Sequence, residues 1–231
     1  MSESPFARNL PLFGEAALKG LQKAHVLLVG LGGVGSHAAL ALARSGIGAF
    51  TLVDFDTVDA TNINRQAIAF HSTIGKAKTE LLKASILDIN QEADVRIFTE
   101  YYKASKRDTV FDTAYDYIFD CVDNVPAKLD LILTAKRMGI PILSSAGLGN
   151  RLDPSKVTTG NLFDLEGDPL ARKLKKALRK EGIHAVDAVY SSEAPLKRAG
   201  VATPASCAFV PPVGGIHGAA SIVQKLIKNC H

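Results

Sequence analysis

The stretch His25-Val-Leu-Leu-Val-Gly30-Leu-Gly-Gly-Val-Gly35 decides the fold. The apolar run from His25 to Gly30 reads as a short buried strand that stops at glycine. From Val34 the period changes, and Val34, Ala38, Ala41 and Leu42 fall on one helical face. A strand that passes through glycines straight into a helix leaves backbone N–H groups unpaired at the positive helix end. Small residues let an anionic phosphate come close to them. A tight turn would need one or two glycines. The four at Gly30, Gly32, Gly33 and Gly35 point to a phosphate loop.

Working outward, the alternation continues. A second strand, Phe50 to Val53, ends at Asp54, and after a polar loop Lys76 to Asn90 keeps a helical period through Leu81, Leu82, Ile86 and Ile89. Strands are expected at Val95–Thr99, Tyr115–Asp120 and Ile140–Ser144, with a helix from about Ala127 to Met138 between the last two. Strands that alternate with helices pair in parallel through right-handed crossovers. After Gly149 the pattern shifts to a strand at Lys156–Leu162 and a helix that opens on Asp168 as N-cap and Pro169 in its first turn. Leu170, Leu174 and Leu178 share one face of that helix. Ser191 to Ser206, rich in Ser, Pro, Gly, Lys and Arg, reads as a mobile loop before a final helix from about Gly214 to Lys228. The expected fold is a Rossmann-like, mostly parallel α/β sheet flanked by helices, with a C-terminal extension of further strands and helices, all in one domain spanning 1–231.

Composition agrees with a folded globular chain: of 231 residues, 47% are hydrophobic and 22% charged, with no low-complexity tract. The N-terminus has no cationic start followed by an apolar run, so the expectation is a cytoplasmic protein. The apolar stretch Phe209–Ile227 carries His217, Gln224 and Lys225 and is broken by Pro211 and Pro212, which makes it a poor membrane span. Cys121, Cys207 and Cys230 are odd in number and never form CxxC, which argues for reduced thiols and against a structural zinc. Cys121 sits in an apolar strand and reads as a small buried hydrophobe. Net charge is +4. The segment Asp168–Glu181 alone holds Arg172, Lys173, Lys175, Lys176, Arg179 and Lys180, so the excess is concentrated on one helix, most of it opposite the apolar face. Such a face is either merely solvated or a seat for a polyanion.

The glycine turn and Asp54 alone form a nicotinamide or flavin fingerprint, with Asp54 taking ribose hydroxyls. The polar residues downstream exceed what hydride transfer requires. Asp54-Phe55-Asp56 leads to Thr61-Asn62-Ile63-Asn64-Arg65-Gln66 and then to Lys76-Ala77-Lys78 at a helix start. Arg65 and Lys78 are suited to clamp triphosphate oxygens and stabilise departing pyrophosphate, unless they are solvated surface charges. Asp120-Cys-Val-Asp123-Asn124 lies at the carboxyl end of the fourth strand, where ligands of open α/β sheets bind. Asp56 has two readings, loop hydrogen bonding or chemistry, and both stay open.

In order and spacing, GLGGVG, VDFD, TNINRQ, GKAK and DCVDN resemble the ThiF, MoeB and HesA family, related to ubiquitin-activating enzymes. The resemblance spans nearly all of Phe6 to Ile227. Phe6-Ala-Arg8-Asn, SSAGLGNRLDP at Ser144–Pro154, DPLARKLKKALRK at Asp168–Lys180, VYSSEAP at Val189–Pro195 and PASCAFVPPVGG at Pro204–Gly215 resemble its tRNA threonylcarbamoyladenosine dehydratase branch. The resemblance implies ATP-dependent adenylation and cyclisation of a threonyl carboxylate on tRNA. It implies an ATP site at Gly30, Gly32, Gly33, Gly35, Asp54, Asp56, Asn62, Asn64, Arg65, Lys78, Asp123 and Asn124, with Asp123 holding magnesium. Arg65, Lys78 and Asp123 would be catalytic, together with Arg8 reaching from the other copy of a homodimer. The tRNA would lie along Arg172–Lys180, extended by Lys197 and Arg198, with residues 1–150 as the nucleotide-binding half and 151–231 facing substrate. A sulfurtransferase-type accessory protein is a further implied partner. Activation of a ubiquitin-like sulfur carrier is the rival within the family, but sulfur-carrier branches usually carry two CxxC pairs and this chain has none; an NAD-dependent oxidoreductase is the rival outside it.

Overall fold

The computed structural model describes residues 4–196 and 204–228. Its strands are β1 (His25–Val29), β2 (Ala49–Val53), β3 (Asp94–Phe98), β4 (Tyr117–Asp120), β5 (Ile142–Ser145), β6 (Val157–Asn161) and β7 (Asp187–Ser191). Its helices are α1 (Leu10–Phe13), α2 (Glu15–Lys23), α3 (Gly35–Arg44), α4 (Lys78–Ile89), α5 (Arg107–Val110), α6 (Val125–Met138), α7 (Pro169–Lys180) and α8 (Val210–Lys228). One seven-stranded sheet runs in the order β3-β2-β1-β4-β5-β7-β6, parallel except for β6, which pairs antiparallel with β7.

The chain leaves β1 toward β2 and β3, then returns to place β4 on β1's other side, with Val29 level with both Val53 and Asp120. The strand order reverses between β1 and β4, the position at which open α/β sheets form a ligand crevice beyond the strands' carboxyl ends. Side chains alternate across the central strands. Leu28, Leu52 and Phe119 pack beneath α3, α4 and α8, while Leu27, Val29 and Ile118 pack beneath α6 and α7. Burial of each such aliphatic side chain contributes about 1.5–3 kcal/mol, which makes the two layers the main source of stability.

Boundaries differ from the sequence reading in two instructive places. Strand β7 carries only three apolar or aromatic residues in five and gives little periodic signal, yet Ala188 and Val189 are fully buried because β5 and β6 flank them. Helix α8 begins at Val210, ahead of the expected Gly214, because Pro211 and Pro212 sit in its first turn, where no intrahelical N–H is needed. Close packing continues there: a Cβ on Gly215 would stand 2.2 Å from the Val34 carbonyl oxygen, so α8 rests directly on the glycine turn. No helix among the described residues is long and apolar enough to cross a membrane.

Candidate active site

The glycine turn is built by steric exclusion. Gly30 has φ +89°, and a Cβ there would come within 2.7 Å of the Cys121 backbone, so β1's end and the Asp120–Asn124 loop touch. A Cβ on Gly35 would lie 1.9 Å from the Gly30 carbonyl oxygen. Helix α3 opens without a side-chain cap. The amides of Gly32, Gly33 and Val34 take no acceptor among the described residues, the arrangement an anion completes.

Asp54, at the end of β2, accepts the amides of Leu31 (2.5 Å) and Asp56 (2.8 Å) and ties the turn to the next loop. Burial pushes its carboxyl above the usual carboxylate range, against the pull of those two amides and Lys78. Asp56 pairs with Lys78 at 2.8 Å, and Lys78 is 4% exposed. Asp56 thus acts as the counter-ion that holds Lys78 at the crevice. The aliphatic part of Arg65 lies against Gly33, with its Cγ 3.3 Å from where a Cβ would stand, and its guanidinium donates to the Thr61 carbonyl and Asn64 Oδ1. Asn64 also donates to the Ser206 carbonyl, 142 residues away, and so joins the motif to the segment before α8.

Other expected residues have local duties. Asn62 closes a reciprocal cap with Asp59 around the turn Ala60–Asn62. Asn124 caps α6 by accepting the Ala127 amide. Asp123, just ahead of that cap, is exposed and makes no hydrogen bond or ion pair among the described residues; it lines a 430 Å³ cleft with Asn124, Pro126, Pro169, Leu170 and Lys173. Among the described residues no three metal-ligating side chains gather. A single free carboxylate fits magnesium that takes its other oxygens from a triphosphate.

Arg8 is not brought to this crevice in its own chain. Its neighbour Phe6 packs on Gly46, and Asn9 donates to the Arg44 carbonyl, at the end of α3 remote from the glycine turn. On α7, Arg172, Lys173, Lys176, Arg179 and Lys180 are exposed, but Arg179 stacks over Phe163 and Lys175 donates to the Phe163 and Leu165 carbonyls. Lys175 is therefore largely a structural residue. Lys197 and Arg198 lie outside the described residues.

Three groups escape a reading of the sequence. Gln66, 6% exposed, faces Gly32 and has its Oε1 unpartnered; its one signal is adjacency to Arg65. Arg151, also buried, donates to the carbonyls of Gly147, Gly149 and Glu193 and to Asp168, and so stitches the loop after β5 to the N-cap of α7. Lys128, Asp120 and Ser144 form a fully buried cluster below the crevice. Cys121 beside them has its thiol pushed well up by burial and by the Asp120 charge, which suits packing and not nucleophilic attack.

The glycine turn thus leaves three backbone amides free, with the Arg65 side chain packed beside them and Lys78 held by Asp56. Over 241 aligned residues the chain is 37% identical to the tRNA threonylcarbamoyladenosine dehydratase of Bacillus subtilis, across 97% of this chain and 95% of that one. It is 38% identical to the Escherichia coli protein of the same name, across 82% of this chain and 74% of that one. The crystal structure of the E. coli dehydratase in complex with ATP superposes with a TM-score of 0.91 at 33% identity, covering 97% of this chain and 94% of that one. The ThiF family model matches residues 6–228, and the chain belongs to the ThiF family.

Proposed function

We propose that this chain is an ATP-dependent tRNA threonylcarbamoyladenosine dehydratase. The observation that carries the reading is the placement of Arg65 against Gly33, beside the uncapped start of α3, and it is supported by Lys78 paired with Asp56 and by Asp123 free in a cleft between the starts of α6 and α7. Hydride transfer has no use for those cations, whereas expulsion of pyrophosphate does.

The threonyl carboxylate attacks the α-phosphorus of ATP, a new P–O bond forms, and the bond to pyrophosphate breaks. Asp123 would hold the magnesium, which would supply charge neutralisation on the phosphates. Lys78, fixed by Asp56, and Arg65 stabilise the charge that gathers on the departing pyrophosphate. Asp54 orients the ribose and the glycine turn holds the α-phosphate. The adjacent ureido group then attacks the activated carbonyl, and AMP leaves with one carboxyl oxygen. That oxygen and the protons released account for the lost water. Proximity favours ring closure over hydrolysis once water is excluded.

The C-terminal half presents tRNA phosphates with Arg172, Lys173, Lys176 and Lys180, which give affinity without base specificity. In a homodimer, Arg8 serves the partner copy's site, since its own crevice lies at the far end of α3. Mixing Arg8→Ala and Asp123→Ala proteins one to one tests this: random pairing restores roughly a quarter of wild-type sites, and no recovery would rule the crossing arm out. A cytoplasmic setting and an accessory sulfurtransferase belong to the same reading.

The decisive assay combines purified protein, Mg·ATP and tRNA bearing threonylcarbamoyladenosine, followed by nucleoside mass analysis. The expected product is lighter by one water, with AMP formed. An unchanged nucleoside beside an adenylated sulfur-carrier protein would transfer the assignment to the other branch.

A further inference from the structure

The cluster Asp120–Lys128–Ser144 lies at the carboxyl ends of β4 and β5, on the side facing α6, and all three side chains are fully buried. Lys128 Nζ donates to Asp120 Oδ2 at 3.0 Å and to Ser144 Oγ at 3.3 Å, and Ser144 Oγ donates to Asp120 Oδ2 at 2.6 Å. The second carboxylate oxygen, Oδ1, accepts the amide of Val122 at 3.2 Å. Apolar residues of the same volume would serve the core as well or better, because a buried ion pair must recover the cost of removing two charges from water. What an apolar pair lacks is an acceptor for Val122.

That amide links the cluster to the loop before α6. It belongs to the residue before Asp123, and the residue after Asp123, Asn124, is held in turn by capping α6. Lys128 sits one turn into the same helix. Asp120 and Asn124 therefore clamp a loop whose one free acidic side chain is Asp123. We infer that Asp120, Lys128 and Ser144 are positioning residues, which fix the Cys121–Asn124 loop so that Asp123 meets the magnesium of bound ATP. This rests on the assignment of Asp123 to the metal.

The test uses the full-length protein with Asp120→Leu, Lys128→Met and Ser144→Ala combined, so that no lone charge stays buried. Three readouts are taken: melting temperature, hydrogen exchange across residues 120–125 without nucleotide, and pyrophosphate release as a function of magnesium. The expected result is an unchanged or higher melting temperature and faster exchange at Val122. The magnesium needed for half-activity should rise and kcat fall, each by roughly tenfold, the scale typical of lost outer support around a metal ligand. The KM for tRNA should hold. Wild-type exchange and magnesium dependence would overturn the inference. Should the triple variant not fold, Ser144→Ala decides alone: it removes one hydrogen bond, and a several-fold rise in half-activating magnesium supports the inference while no change overturns it. Asp123→Asn separates the two layers. Full activity there would retire the metal assignment and this inference with it, whereas loss there beside an unaffected cluster variant would retire only the inference.

Discussion

The two walls of the crevice are made differently. On the β1–β2 side, α3 and α4 both start without a side-chain cap, the amides of Gly32–Val34 take no acceptor among the described residues, and the Arg65 side chain lies beside them. On the β4–β5 side the polar groups close on one another: Asn124 caps α6, Asp168 caps α7, Arg151 binds Asp168, and Asp120 is enclosed by Lys128, Ser144 and the Val122 amide. One wall leaves donors for a ligand to satisfy, and the other satisfies its own so that Asp123 is held still. Wherever the chain keeps donors open it accepts lower intrinsic stability in exchange for binding, since unpaired backbone groups cost free energy until a partner arrives.

That contrast breaks first at Arg65. Arg65→Ala should slow pyrophosphate release by about 10²–10³-fold, the scale of one lost charge-stabilising donor, with a nearly unchanged melting temperature, because the hydrogen bonds its guanidinium makes are exposed to solvent. A large drop in melting temperature would mean that the open wall is structural after all. On the closed side the order reverses. Leu174→Ala, in the buried stripe of α7, should cost about 2–5 kcal/mol of stability, read by denaturant unfolding, while adenylation by the surviving folded fraction continues.

A smaller effect sharpens the account of α7's outer face. Lys176→Ala with Lys180→Ala should weaken tRNA binding several-fold and reduce the salt slope by about one for each phosphate no longer neutralised, leaving stability untouched. Lys175→Ala should instead lower the melting temperature, because its ammonium satisfies the Phe163 and Leu165 carbonyls.

The smallest expected effect is in pH. Burial holds His25 and His37 below the ordinary histidine value of 6.5. Between that value and the lowered ones, the unfolded chain binds more protons than the folded one. Their contribution is therefore complete above pH 6.5 and is lost as pH falls through the folded values. Melting temperature should decline with acidification in that window, and His37→Gln should flatten the decline. A steeper decline in the variant would contradict the sign.

Legibility in the sequence follows the same division between walls. The open wall is readable because its chemistry is local: four glycines between strand and helix, an aspartate at a strand end, and an arginine and a lysine at fixed spacing all announce themselves within about sixty residues. The closed wall is largely illegible, because its members meet only in space. Nothing in the spacing of Asp120, Lys128 and Ser144 marks them as one cluster, and Arg151 meets Asp168 only once the loop folds around it. Strand β7 escapes for the same reason, its burial being conferred by neighbours on both sides. Asn62 and Asn124 are assigned to ATP by resemblance, and their side chains turn out to close local caps. The basic helix is recognisable as a face, but periodicity does not reveal that Lys175 folds back onto carbonyls.

In the proposed reaction a carboxyl oxygen of the modified nucleotide attacks the innermost phosphorus of ATP. This attack is tested most directly with tRNA whose threonyl carboxylate carries oxygen-18. The heavy oxygen is expected in the phosphate of AMP, in step with loss of water from the nucleoside. Label found in inorganic phosphate with release of ADP, or AMP formed without label, would contradict it.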